Sequence, residues 1–167
     1  MHALADGTRI WVKPLRPEDR DSYRRAVAGL SPATVALRYG RPRSCLRDDE
    51  ISEFLDNGRD GREALAATTA DGRTIIGVAR MAPVPTEPDT AEVAIVIADD
   101  WQGRGVGHLL TGDLEVCAVA AGYRSLYATS NLENTAIAVL LRHRGFRATT
   151  ARLGVMEWSA PLPARSA

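Results

Sequence analysis

Apolar and polar positions alternate between two periods along this chain of 167 residues. From Arg9 to Leu15 apolar and basic residues take turns, as in a half-buried strand. Pro17, Glu18 and Asp19 then suit the first turn of a helix reaching about Leu30. Ser31-Pro32 restarts a helix, with Ser31 as its cap, and that helix ends before Gly40. Asp48 to Asp56 reads as another short helix. Glu63 to Thr69 and Thr74 to Met81 are β-rich, and Asp71-Gly72 between them is a hairpin turn signal. Pro83, Pro85 and Pro88 predict a stiff loop, followed by a very apolar strand from Ala91 to Ala98. Helical spacing returns from Val106 to Ala121. A strand over Ser125 to Thr129, a helix over Asn134 to Arg144 stopped by Gly145, and one or two strands from Arg147 to Trp158 complete the series. The order is mixed α/β. Residues 1–160 are expected to form a single domain, and Pro161 to Ala167 a disordered tail.

Composition narrows the class. Apolar residues make up 45% and charged residues 25%, the balance of a folded globular chain. Twenty-one basic residues meet 21 acidic ones, so no basic excess points to a nucleic-acid partner. Met1 to Gly7 lacks the apolar run of a signal peptide, and no stretch is apolar enough to span a membrane. A cytoplasmic location is therefore expected, with Cys45 and Cys117 as free thiols. Cys117 falls in line with Leu110, Leu114 and Ala121, on the core side of its helix. Histidines and cysteines show no metal-ligand spacing, so no metal is expected.

The chemistry concentrates between Ala91 and Leu110. A strand ends at Asp99-Asp100-Trp101, the run Gln102-Gly103-Arg104-Gly105-Val106-Gly107 follows, and a helix begins. Glycines let backbone approach a ligand closely, and a helix N-terminus presents unpaired N–H groups and the positive end of its dipole. Together they suit a phosphate or pyrophosphate. A dinucleotide fingerprint would need glycine at His108, and a P-loop would need a following lysine, so both are excluded. A glycine-rich turn that merely starts a helix remains open on these residues alone.

Gln102, Gly105 and Gly107 match the Q/R-x-x-G-x-G/A signature of the GNAT family of N-acetyltransferases. Asn131-Leu132-Glu133-Asn134-Thr135-Ala136, followed by Arg144-Gly145-Phe146, resembles that family's N-x-x-A…G-F helix. The resemblance covers about Thr8 to Trp158. It implies the GNAT fold: a mostly antiparallel twisted sheet of six to seven strands, splayed between the fourth and fifth, with about four flanking helices. It also implies acetyl-CoA as donor. Backbone N–H groups of Gln102, Gly103, Arg104, Gly105, Val106, Gly107 and His108 would hold the pyrophosphate. The pantetheine would lie where the strands around Ile97 and Leu126 part, with an N–H near Ile97 polarising the thioester. Asn134 would bond the pantetheine or serve only at its helix terminus.

A narrower likeness joins Leu15-Arg16-Pro17-Glu18-Asp19, Leu30-Ser31-Pro32 with Leu37-Arg38-Tyr39, and Ala91-Glu92-Val93-Ala94 to the catalytic domain of bacterial Pat-type protein lysine acetyltransferases, which modify acyl-CoA synthetases. It implies a lysine acceptor and Glu92 as general base. Alternation puts Glu92 on the face of Ala94 and Val96. The family's usual general-acid tyrosine falls at Leu141, so the acid is missing, replaced or water; His143 reads as a residue of the solvated face with Arg142 and Arg144, and Tyr127 and Tyr123 are weak substitutes. Arg38, Arg41, Arg43 and Arg47 form a basic segment where the resembling family shapes its acceptor site; contact with an acidic protein surface or with the cofactor's 3′-phosphate stays open, and a solvated basic face is the favoured reading. Acetylation of a small amine, or acyl-CoA binding without catalysis, stays open, as does a monomer or a homodimer.

Overall fold

In the computed structural model, which describes residues 1–39 and 47–164, one sheet carries eight strands. They are β1 (His2–Ala3), β2 (Arg9–Pro14), β3 (Glu63–Thr69), β4 (Ile75–Val84), β5 (Glu87–Ile97), β6 (Ser125–Asn131), β7 (Arg147–Arg152) and β8 (Val155–Pro161). Their order is β1-β2-β3-β4-β5-β6-β8-β7, antiparallel throughout except for β5 beside β6. The helices are α1 (Arg20–Ala28), α2 (Pro32–Tyr39), α3 (Asp48–Leu55), α4 (Val106–Ala121) and α5 (Thr135–His143). The eighth strand is the two-residue β1, a segment too short to carry a period. Counted from Arg9, the strands number seven and the parallel pair is the fourth and fifth, as the family likeness implies.

The sheet buries both faces. On one, Leu110, Leu114 and Ala118 of α4 meet Ile76, Val93, Leu126 and Trp158. On the other, Tyr23 and Val27 of α1 and Ile51 and Leu55 of α3 cover Leu15, Ala66 and Val78. Alternation along β5 divides Val93, Ile95 and Ile97 from Val96 accordingly. Cys117 is half-buried against the α4 core, and burial pushes its thiol pKa up. Cys45, Arg41 and Arg43 lie outside the described residues.

Three boundaries differ from the sequence pattern. No stiff loop separates β4 from β5; only Pro85 and Thr86 lie between them. β4 tolerates Pro83 because β3 pairing stops at Met81 and the register shifts at Pro83/Val84, so the missing N–H faces an open edge. The first helix starts as a 3₁₀ turn at Pro17–Asp19 and ends at Ala28. Finally, β8 includes Pro161, and the Leu162 N–H donates to the Arg124 carbonyl at 2.8 Å, so order reaches into the expected tail.

Candidate active site

β5 and β6 are paired only over Thr90–Glu92 and Ser125–Tyr127. Beyond Glu92 they part, β5 staying with β4 and β6 with β8. The wedge between them is a cleft of about 670 Å³, within the usual range for a small-molecule site. The sequence placed this splay around Ile97 and Leu126. Ile97 does line it, but Leu126 belongs to the paired part and is buried, and the far wall is Ala128, Thr129 and Ser130. The difference is one of register, which no local pattern sets.

One wall presents backbone. Ala98 donates its N–H to Ile76 on β4, whereas Asp89 accepts from Arg124 on the opposite side. Strand alternation therefore turns the N–H groups of Val93, Ile95 and Ile97 toward the cleft. At the end of that wall the loop enters α4 through Gly103 at φ 70° and Gly105 at φ 92°, left-handed values that glycine accepts readily. The first turn of α4 is closed by Leu109 donating to Gly105. Val106, Gly107 and His108 thus hold first-turn N–H groups that the helix does not use. A β-branched residue at Gly105 must leave this conformation. Gly105→Val is expected to weaken acetyl-CoA binding about tenfold or more, measured by titration calorimetry, because the loop donors lose their common aim.

The side chains of the loop have different tasks. Gln102, Gly103, Gly105, Gly107 and His108 line the cleft. Val106 is buried in the core. Arg104 turns away, donating to Asp6 at 2.7 Å and Thr8 at 3.0 Å, with its guanidinium 4.2 Å from the Trp101 ring centroid. Only its backbone is available to a phosphate. Asn134 combines both readings: its Oδ1 accepts the Ile137 N–H at 3.1 Å as helix cap, while the residue lines the cleft.

Glu92 is exposed at the apex of the wedge and lines the cleft. Its register partner is Tyr127. Burial pushes the Tyr127 hydroxyl pKa up, and the carboxylates of Glu157 and Glu92 add to the effect. Leu141 is buried against the core and supplies no proton donor. His143 is exposed at the cleft, and the Tyr123 hydroxyl donates to the Gly61 carbonyl instead.

Sequence reasoning favoured a solvated face for Arg38 over a place at the site. Thr34, Leu37 and Arg38 line the cleft, so Arg38 is not on a solvated face. The Ser31 cap was the available clue. Its Oγ accepts the Thr34 N–H at 3.2 Å and donates to Asp99 at 2.6 Å. Thr34 Oγ1 donates to Asp99 at 2.7 Å, and Gln102 Nε2 donates to Thr34 Oγ1 and the Ile97 carbonyl, each at 3.1 Å. This network fastens α2 to the glycine loop. Burial alone would raise the Asp99 pKa, but the bonds from Ser31 and Thr34 outweigh it and hold the carboxyl below its ordinary value of 3.8. Its stabilisation is complete above that value and is lost as pH falls through the lower folded-state one. Melting temperatures taken from about pH 5 to about pH 2 should therefore fall more steeply for the wild type than for Asp99→Asn.

Among the described residues, no group of three or more His, Cys, Asp or Glu is placed to hold a metal ion. No helix among them is long and apolar enough to cross a membrane.

Comparison with known proteins agrees with this geometry. A family model described as acetyltransferase (GNAT) domain matches residues 9–147. An acetyltransferase of Pseudomonas aeruginosa is 29% identical over 148 residues, 87% of this chain and 79% of that protein. Acetyltransferase Pat of Mycolicibacterium smegmatis is 32% identical over 159 residues, 94% of this chain. The match covers 47% of that relative, so the chain spans about half its length. The solved GNAT domain of S. lividans PAT superposes with a TM-score of 0.89 at 24% identity, covering 96% of this chain and 95% of that one.

Proposed function

We infer the reaction from one premise: the chain belongs to the GNAT acetyltransferase family, and it is an acetyl-CoA-dependent acetyltransferase. Its acceptor, in our reading, is an amine, and foremost the ε-amine of a protein lysine. One observation carries this reading: Glu92 stands in the same cleft as the N–H edge of β5 and the Gln102–Gly107 loop. A carboxylate, a row of donors and a phosphate cradle are what amine acylation from a coenzyme A thioester requires.

Loop N–H groups hold the pyrophosphate, and Asn134 bounds the pantetheine channel. A lysine amine has a pKa of about 10.4, so it must lose a proton before attack. Glu92 accepts that proton, directly or through one water. The nitrogen attacks the thioester carbonyl, the C–S bond breaks, and an N–H of Val93, Ile95 or Ile97 steadies the charge on oxygen. The nitrogen's second proton leaves to water as the amide forms, and because Leu141 offers no acid the thiolate takes one proton from water or from His143 at the cleft. The products are an amide and free coenzyme A.

The resemblance to Pat-type enzymes supports the lysine acceptor, with an acyl-CoA synthetase as the partner to try first. The half-length match to Acetyltransferase Pat leaves any regulation by further domains outside this reading. The free thiol of Cys117 suits a reducing cytoplasm.

The deciding experiment follows transfer of radiolabelled acetyl from acetyl-CoA to lysine-containing proteins, to lysine peptides and to a panel of small amines. Lysine-containing acceptors are expected to show the highest kcat/KM. A small amine that exceeds them would replace the protein acceptor. No transfer to any amine would withdraw amine acetylation.

A further inference from the structure

Arg38 holds a positive charge in the cleft that is ion-paired with no carboxylate among the described residues. It lies on α2, is half-buried as a residue, and lines the cleft beside Thr34 and Leu37. Its guanidinium carbon is 5.1 Å from the Tyr39 ring centroid. Among the described residues Arg38 forms no salt bridge. Residues 40–46, which follow Tyr39 in the chain, contain no Asp or Glu. Arg80 makes the contrast. It sits opposite Ala94 on β4, donates to Glu53 at 2.8 Å and stacks 4.5 Å from the Phe54 ring. Its charge is answered within the fold.

Removing a guanidinium from water without an anion is costly, and the cost is recovered when a carboxylate arrives in the fork of its N–H groups. Burial lowers the Arg38 pKa, and Arg80 lowers it further, while Tyr39, Tyr23 and Glu92 act in the other direction. α2 touches both β5 and β6, so Arg38 overhangs the wedge on the side where Glu92 is exposed. A ligand meeting both groups finds one anion and one cation.

We propose that Arg38 is a specificity-determining residue that binds a carboxylate carried by one of the two substrates. This rests on the cleft being the reaction site of the acetyltransferase. Two sources share that chemistry. The acceptor can carry a carboxylate a lysine side chain's length from its amine, which would set the amine at Glu92 and the carboxylate at Arg38. The donor can carry a dicarboxylic acyl group, whose far end would reach Arg38.

Binding measurements on the full chain test this without requiring turnover. For the donor arm, calorimetry compares succinyl-CoA with butyryl-CoA, which have the same chain length. For the acceptor arm, Nα-acetyl-lysine is compared with its methylamide in the presence of coenzyme A. In one arm the wild type is expected to prefer the carboxylate about tenfold or more. Arg38→Gln should bring that ratio to about one, and Arg38→Lys should restore part of it. The arm that responds identifies the source. No preference in either arm of the wild type overturns the proposal, and so does a preference that survives Arg38→Gln. If Arg38→Gln does not fold, Arg38→Lys must lower the preference severalfold, or the proposal falls. Acetyl-CoA titrated into the same samples separates the two readings: absent binding would count against the acetyltransferase reading, whereas normal binding with no carboxylate preference counts against Arg38 alone.

Discussion

Glu92→Gln is expected to lower kcat by about a hundredfold or more and to leave acetyl-CoA affinity nearly unchanged. General-base assistance contributes about 10²–10⁴-fold to a rate, and the amide of glutamine cannot accept the proton. Glu92 is exposed and has a register partner across the parallel pair rather than a core contact, so the substitution removes no packing. The proposed donor site, the β5 edge and the Gln102–Gly107 loop, lies farther along the wedge and should persist. Thermal melting with and without acetyl-CoA checks this: at about 100 times the dissociation constant, bound ligand adds about 2.7 kcal/mol in both proteins. A pH profile gives a second reading. The wild-type rate should rise as the amine loses its proton, and the variant should keep only the steeper, unassisted part at high pH. Turnover within a few-fold of wild type would remove Glu92 from the mechanism. Loss of acetyl-CoA binding would make it a structural residue of the cleft.

The parts legible in the sequence are those whose physics is local. Glycine in left-handed conformation at a helix start, as at Gly105, follows from residue type alone. So do the Ser31 cap, with its bond to the Thr34 N–H, and the left-handed stop after α5 at Gly145. What stayed hidden depends on neighbours distant in sequence. Pro83 looks like a loop residue until β3 is seen to end at Met81 and leave an open edge. Leu126 and Ala128 share one alternating strand, and only the pairing with β5 decides which lies in the closed part and which in the wedge. Arg38 carries the same misreading into function. On an eight-residue helix whose buried face centres on Val35, a polar position can meet solvent or a cleft. The choice is made by α2 lying over both β5 and β6.

Trp158→Ala should produce the largest loss of stability in the molecule and should also damage the donor site. Trp158 is 1% exposed and lies between its register partners Ala128 on β6 and Ala148 on β7. Its Nε1–H donates to Ser130 Oγ at 2.9 Å, in the interior, and the Arg142 guanidinium stands 5.3 Å from its ring. Replacing a buried tryptophan by alanine costs about 3–5 kcal/mol, a large share of the 5–15 kcal/mol that holds a typical domain together. At about 2–4 °C per kcal/mol for a chain of this size, the melting temperature should fall by about 10 °C. Ala128 and Ser130 also line the cleft, so a wall that relaxes into the cavity narrows the wedge from behind. Trp158→Phe separates the two effects. It keeps most of the volume but strands the Ser130 hydroxyl, which costs about 1–3 kcal/mol, and it should leave acetyl-CoA affinity closer to wild type. If Trp158→Ala melted within about 2 °C of wild type, the β6–β8 pair would not depend on this side chain. If it lost stability yet kept full acetyl-CoA affinity, the far wall of the wedge would owe its position to the strands alone.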